Sequence, residues 1–308
     1  MASERFAEVD GLRVRYFEEG TGPAVFLLHG ASLGSSADVW SGNLSDVASH
    51  GLRVIAPDLP GFGMSDNPAD VSVGYRAKFV VALMDKLAID RAHLVGHSQS
   101  GQIAVRLALT QPDRVGKIVV LGTASLLPPV PDAPDTGEGD EGEMNEPTLD
   151  DVRNQIAETL FDQGRLTPEA IALRHRMSTG KNFEAFLARR AAKGGDRKKD
   201  AKPLWQRLDE VKVPMRLIYG REDRAAERRA ELARERYPSL DLHLIDRCRH
   251  LMQWDAPLQW HPWWANFWLR KNRGRAPRPN DRAPLTSDTS SRFPRRERRL
   301  LRAATPAR

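Results

Sequence analysis

The stretch His93-Leu94-Val95-Gly96-His97-Ser98-Gln99-Ser100-Gly101-Gln102 carries an apolar run straight into Gly-x-Ser-x-small, and helical periodicity follows at once over 102–109. A serine hydroxyl is a poor nucleophile unless it is held at a sharp strand-to-helix turn, beside a base and at the positive end of a helix. Gly96 and the small pair Ser100-Gly101 permit such a turn, although Ser100 stands where a second glycine is more usual. Ser98 is therefore the candidate nucleophile.

Short apolar runs at 24–28, 53–56, 93–95, 117–121, 215–219 and 241–245 have the length of buried strands. Helical periodicity separates most of them, as over 73–87 and 102–109. That alternation predicts an α/β fold with a mostly parallel central sheet and helices on both faces. Ahead of it, alternation over 5–9 and 12–17 around Asp10-Gly11 predicts a hairpin, because Asp-Gly supplies the positive φ angles of a two-residue turn.

Between Leu126 and Val211 the strand signal disappears, so 128–210 is expected to be an inserted helical lid within a core made of 1–127 and 211–270. It opens with an acidic linker, 132–146, which holds seven acidic residues, three glycines and no basic one. Thr148 with Asp151 forms a capping-box pattern, and Thr167-Pro168 places a capping hydroxyl before proline at the first helical position. A break at 194–200 precedes an expected return helix over 204–211. The last helix is expected over 257–269, where helically spaced tryptophans read as core rather than as a cofactor cage.

Composition narrows the function classes. The net charge of +6 divides into +9 for residues 271–308, with 12 basic and 3 acidic side chains, and −3 for the remainder. No aromatic-interleaved basic patch or helix-turn-helix pattern occurs before the tail, so specific nucleic-acid binding is not expected; the proline-rich tail is expected to be disordered. No apolar run is long enough to span a bilayer and the first residues lack signal-peptide order, which points to a cytoplasmic protein with no membrane partner. The lone Cys248 forms no internal disulfide, and the eight histidines show no metal-ligand pairing, so neither a metal nor a cofactor is expected. Whether the chain forms a homo-oligomer stays open.

Three further segments stand at predicted strand ends. Val25-Phe-Leu-Leu-His29-Gly30-Ala31-Ser32 ends an early strand where a backbone N–H can meet a developing oxyanion, with His29 bracing the loop. Asp58-Leu-Pro-Gly-Phe-Gly-Met-Ser65 follows the next strand, where Asp58, Pro60, Gly61 and Gly63 shape a turn. Tyr219-Gly-Arg-Glu-Asp223 and Asp246-Arg-Cys-Arg-His250 end the late strands, which puts Ser, Asp and His in the chain order expected at the C-terminal edge of such a sheet.

With these motifs the sequence resembles the α/β-hydrolase family from about residue 12 to 270. The resemblance implies Ser98 as nucleophile, His250 as general base and then acid, and Asp223 orienting the imidazole, with Glu222 as the competing acid. It implies an oxyanion hole from the backbone N–H of Gln99 and of Ala31 or Ser32. A narrower likeness, in 166–174, Lys181-Asn-Phe and Cys248-Arg-His-Leu-Met-Gln-Trp254, is to meta-cleavage-product hydrolases, which cut a carbon–carbon bond in dienol keto acids. Arg174 falls where that family keeps a substrate-facing lid arginine. His97 stands in place of that family's usual Asn, Leu251 in place of Trp, and Trp40 where Asn is expected; these four are the candidate substrate-binding residues. The small-molecule substrate is thus a dienol keto acid, or an ester or lactone; a slow or non-catalytic ligand receptor is the reading from a different class.

Overall fold

A computed structural model describes residues 2–130, 144–194 and 202–257, which belong to one compact unit. Most of the acidic linker, the break at 195–200, the helix expected over 257–269 and the tail lie outside the described residues.

Eight strands, β1 (Ser3–Val9), β2 (Leu12–Glu19), β3 (Ala24–Leu28), β4 (Arg53–Pro57), β5 (Ala92–His97), β6 (Val115–Leu121), β7 (Met215–Gly220) and β8 (Leu242–Ile245), form one sheet in the order 1-2-4-3-5-6-7-8. β1 and β2 make the expected hairpin, with Asp10 at φ 50° and Gly11 at φ 78°. β2 meets β4 antiparallel, and every pairing from β4 through β8 is parallel. β3 and β6 are buried along their whole length, which is why they read as unbroken apolar runs.

The helices are α1 (Leu44–Ser49), α2 (Val73–Lys86), α3 (Ser100–Thr110), α4 (Leu149–Thr159), α5 (Pro168–Arg176), α6 (Lys181–Gly194), α7 (Ala226–Arg236) and α8 (Met252–Asp255). Successive side chains of β3 enter opposite layers of core. Phe26 and Leu28 join Phe79 and Leu83 of α2, Ile103 and Leu107 of α3 and Ala230 of α7, whereas Val25 and Leu27 join Trp40, Leu44 of α1, Val152 of α4 and Met252. Burial of each large apolar side chain stabilises by about 1.5–3 kcal/mol, so both faces of the sheet need their helices.

α4 to α6 occupy the stretch between β6 and β7, where the sequence carries no strand-like run. Thr148 and Asp151 close the capping box, and Thr167 Oγ1 accepts from Ala170 N at 3.2 Å ahead of Pro168. The helix expected over 204–211 does not form. Two separate 3₁₀ turns, Leu204–Gln206 and Leu208–Glu210, replace it, because Arg207 at φ −120° interrupts the helical path; Leu204 and Leu208 are still buried. α7 carries little sequence signal from large residues, since its buried positions are Ala226, Ala230 and Ala233. Among the described residues no helix is long and apolar enough to cross a membrane.

Candidate active site

Ser98 lies between β5 and α3 with φ at +54°, in the left-handed region that a side chain enters only under constraint. The constraint comes from both sides of the residue. Its N–H donates to Leu121 O on β6 at 2.8 Å, and its carbonyl accepts from Thr123 Oγ1 at 2.5 Å. Thr123 is itself held by Tyr219, whose hydroxyl donates to Thr123 O at 2.9 Å. Gly96 is obligatory beneath the turn, because a Cβ there would stand 2.4 Å from Ser100 O and 2.6 Å from Gly101 N. Ser100 at the irregular position is buried and donates to His29 O, so it fills a role that a second glycine would leave empty.

His250 follows β8 and Asp223 follows β7. Asp223 Oδ2 accepts from His250 Nδ1 at 2.8 Å, which assigns the Nδ1–H tautomer and leaves Nε2 as the basic nitrogen. Glu222 does not compete: its carboxylate accepts from the N–H groups of Arg247 at 3.1 Å and Cys248 at 2.9 Å. The loop bearing His250 runs against the end of β7 so closely that a Cβ on Gly220 would lie 2.2 Å from Cys248 O. A carboxylate that sequence reading overlooked holds this loop. Asp255, 8% exposed, accepts from Arg249 N at 2.9 Å and from Phe161 and Asp162 N at 2.9 and 3.0 Å, tying the histidine loop to the end of α4. Its only sequence signal is position, five residues after the histidine.

Ser98, Asp223 and His250 border one cleft of about 1780 Å³, as do Ala31, Ser32, Gln99, Arg174, His97 and Leu251. Among the described residues the backbone N–H groups of Ala31, Ser32 and Gln99 meet no acceptor, which leaves them available to an oxyanion. The loop that carries Ala31 and Ser32 is braced by His29, whose Nε2 accepts from Leu59 N at 3.0 Å and whose Nδ1 donates to Gly30 O at 2.7 Å. Full burial pushes His29 down to about 3, so it stays neutral and holds shape rather than moving protons. Asp58 is likewise structural: it is fully buried and accepts from Arg15, Ala37 N and Met64 N.

Trp40, expected at the substrate, is instead fully buried and is not among the residues that line the cleft; its ring meets His97 edge-on with centroids 6.4 Å apart, so it packs behind His97. Leu251 presents an apolar side chain to the cleft while its N–H donates to Thr159 O at 3.1 Å. Arg174, on α5, donates from Nη2 to Ser32 Oγ at 2.7 Å, and burial pushes its guanidinium down to about 10. Cys248 is buried with its thiol pushed up by desolvation, which disqualifies it as a nucleophile. Among the described residues no group of three His, Cys, Asp or Glu could hold a metal ion.

The family model described as the alpha/beta hydrolase fold matches residues 23–257, the span that contains every residue of this cleft. The chain belongs to the α/β-hydrolase family. This α/β hydrolase is 34% identical, over 79% of its own length and 86% of the relative's, to the 2-hydroxy-6-oxononadienedioate/2-hydroxy-6-oxononatrienedioate hydrolase of Burkholderia vietnamiensis. It is 33% identical, over 80% and 88%, to the 2-hydroxy-6-oxo-6-phenylhexa-2,4-dienoate hydrolase of Burkholderia cepacia. The crystal structure of the 2-hydroxy-6-oxo-6-phenylhexa-2,4-dienoate hydrolase from Rhodococcus sp. strain RHA1 superposes with a TM-score of 0.71, covering 87% of this chain and 99% of that one at 23% identity, which speaks for the shared fold.

Proposed function

We propose that this α/β hydrolase uses Ser98, His250 and Asp223 as nucleophile, base and orienting acid to cleave a small carbonyl substrate, with a carbon–carbon bond of a dienol keto acid as the target. The observation that carries this reading is the joint placement, on one cleft, of a serine forced to positive φ and a histidine whose Nδ1 is engaged by Asp223.

His250 Nε2 takes the proton from Ser98, or from a water in its place, as the oxygen attacks the carbonyl carbon. The carbonyl oxygen gathers charge against the N–H groups of Gln99 and of Ala31 or Ser32. With the dienol reacting as its keto tautomer, collapse of the tetrahedral intermediate expels the carbanion as a stabilised dienolate, which His250 protonates; in the Ser98 route, water then releases the acyl group. Asp223 stabilises the imidazolium throughout, and the helices inserted between β6 and β7 act as the lid that excludes solvent. Arg174 supplies a planar, permanently charged fork for the carboxylate or the developing enolate. The curated relatives named above, hydrolases of dienoates and dienedioates, support this choice of substrate.

A second reading, hydrolysis of an ester or lactone, is favoured by Leu251, which gives the cleft an apolar wall beside the base. The test has two parts. A fluorophosphonate probe should label the folded protein and fail to label Ser98→Ala; an unlabelled wild type, or labelling unchanged in the variant, overturns the mechanism. Turnover of dienol keto acids against p-nitrophenyl esters then decides which bond is cut, and binding without turnover of either would favour a receptor.

A further inference from the structure

Of the seven arginines that border the cleft among the described residues, Arg174, Arg76 and Arg189 each donate there to neutral acceptors. Arg174 donates to Ser32 Oγ, Arg76 of α2 donates from Nη2 to Gln99 Oε1 at 2.5 Å, and Arg189 of α6 donates from Nη1 to Gly61 O at 2.7 Å. Arg76 and Arg189 are only 3% and 8% exposed, and the Nε of Arg76 is buried without a partner. Both lie by the same ring, with guanidinium carbons 5.5 and 3.8 Å from the centroid of Phe62. A ring face offsets part of the desolvation of a cation but does not neutralise it.

Elsewhere this chain pairs its buried arginine. Arg15, also 3% exposed, meets Asp58, Asp38 and Glu4. The carboxylates that border the cleft are engaged or turned to solvent: Asp223 with His250, Glu222 with the Arg247 and Cys248 amides, Asp70 exposed and accepting from Ser72 N, and Glu158 exposed. Burial pushes Arg76 down to about 10 although the exposed Asp70 pulls the other way, and it pushes Arg189 to about 9, aided by repulsion from Arg76.

We propose that Arg76 and Arg189 form an anion subsite of the cleft, separate from Arg174, that receives a second carboxylate of the substrate. Arg76 touches Gln99, the neighbour of Ser98, so the subsite approaches the reacting carbonyl from the side of α2 and α6, while Arg174 approaches from α5 through Ser32. The ligand class is then a dianion that carries its carbonyl between two carboxylates. That the ligand is the substrate rests on the hydrolytic reading above; that the subsite binds a carboxylate does not.

The test is calorimetric titration of the full chain carrying Ser98→Ala with adipate and with its monomethyl ester. Adipate should bind about tenfold tighter, the scale of one charge-assisted pair. Arg76→Gln and Arg189→Gln should each erase the preference, and Arg76→Lys should keep most of it. Thermal melting identifies a variant that fails to fold, in which case the other glutamine variant and Arg76→Lys decide. A preference below about twofold, or one that survives in a folded glutamine variant, overturns the subsite. Turnover of a neutral p-nitrophenyl ester by wild type but not by Ser98→Ala tests the hydrolytic reading separately: its absence beside an intact adipate preference sinks that reading alone.

Discussion

His97 donates from Nε2 to the backbone carbonyl of His250 at 2.9 Å, and the two imidazoles lie 4.9 Å apart by their centroids. The residue that precedes the elbow serine therefore anchors the residue proposed as its base, across 153 positions of chain. His97 is buried and its basicity is driven far down, first by desolvation and then by His250, so it remains a neutral donor.

Replacing His97 by alanine should release that anchor. A part-buried carbonyl left unpaired beside a new cavity is expected to lower stability by about 2–4 kcal/mol. Loosening of His250 should lower kcat by ~10- to 100-fold with a smaller change in KM. Denaturant unfolding with steady-state kinetics checks both, and unchanged kcat would leave His97 with a packing role only.

The positive φ of Ser98 stores strain that glycine would not feel. Ser98→Gly should abolish fluorophosphonate labelling yet leave the fold about 1 kcal/mol more stable than Ser98→Ala, since only the alanine retains a Cβ in the left-handed region. Paired urea melts of the two variants measure the difference.

Asp255 should behave as a positioning residue. Asp255→Asn keeps the volume but weakens acceptance of three backbone N–H groups, those of Arg249, Phe161 and Asp162. Stability is expected to fall by about 1–3 kcal/mol, and hydrogen exchange should accelerate at those amides more than in the β-sheet. Exchange unchanged at Arg249 would contradict the role.

Acid should destabilise this protein through histidines buried in neutral form. His29 is pushed down to about 3 and His93 to about 4, both mainly by desolvation, against an unfolded value near 6.5. A depressed histidine contributes its stability above the unfolded value and loses it as pH falls toward the folded one. Between about pH 6 and 4.5 the unfolding free energy should therefore drop by about 1.4 kcal/mol per pH unit for each such group. His29→Gln should flatten the slope by one proton, and an unchanged slope would refute the assignment.

Local chemistry is what the sequence reveals on its own. Asp10-Gly11 dictates a hairpin because few dipeptides tolerate two positive φ angles, the apolar runs dictate buried parallel strands, and the elbow around Ser98 is legible because such a turn needs glycine beneath it and small residues after it. The chain order of Ser98, Asp223 and His250 was legible too, since each stands at a predicted strand end. Long-range contact was not. No local pattern reveals that Arg207 breaks a helix, that the buried face of α7 consists of three alanines, that Trp40 backs His97 instead of facing the cleft, or that Asp255 joins the amide of its own loop to those at the distant end of α4. The same holds for Arg76, Arg174 and Arg189: sequence alone singled out one of the three, and only the packing of α2, α5 and α6 on the cleft sets their charges together with neutral partners. Backbone preference and apolar periodicity are properties of neighbours in the chain, whereas desolvation and charge balance are properties of neighbours in space.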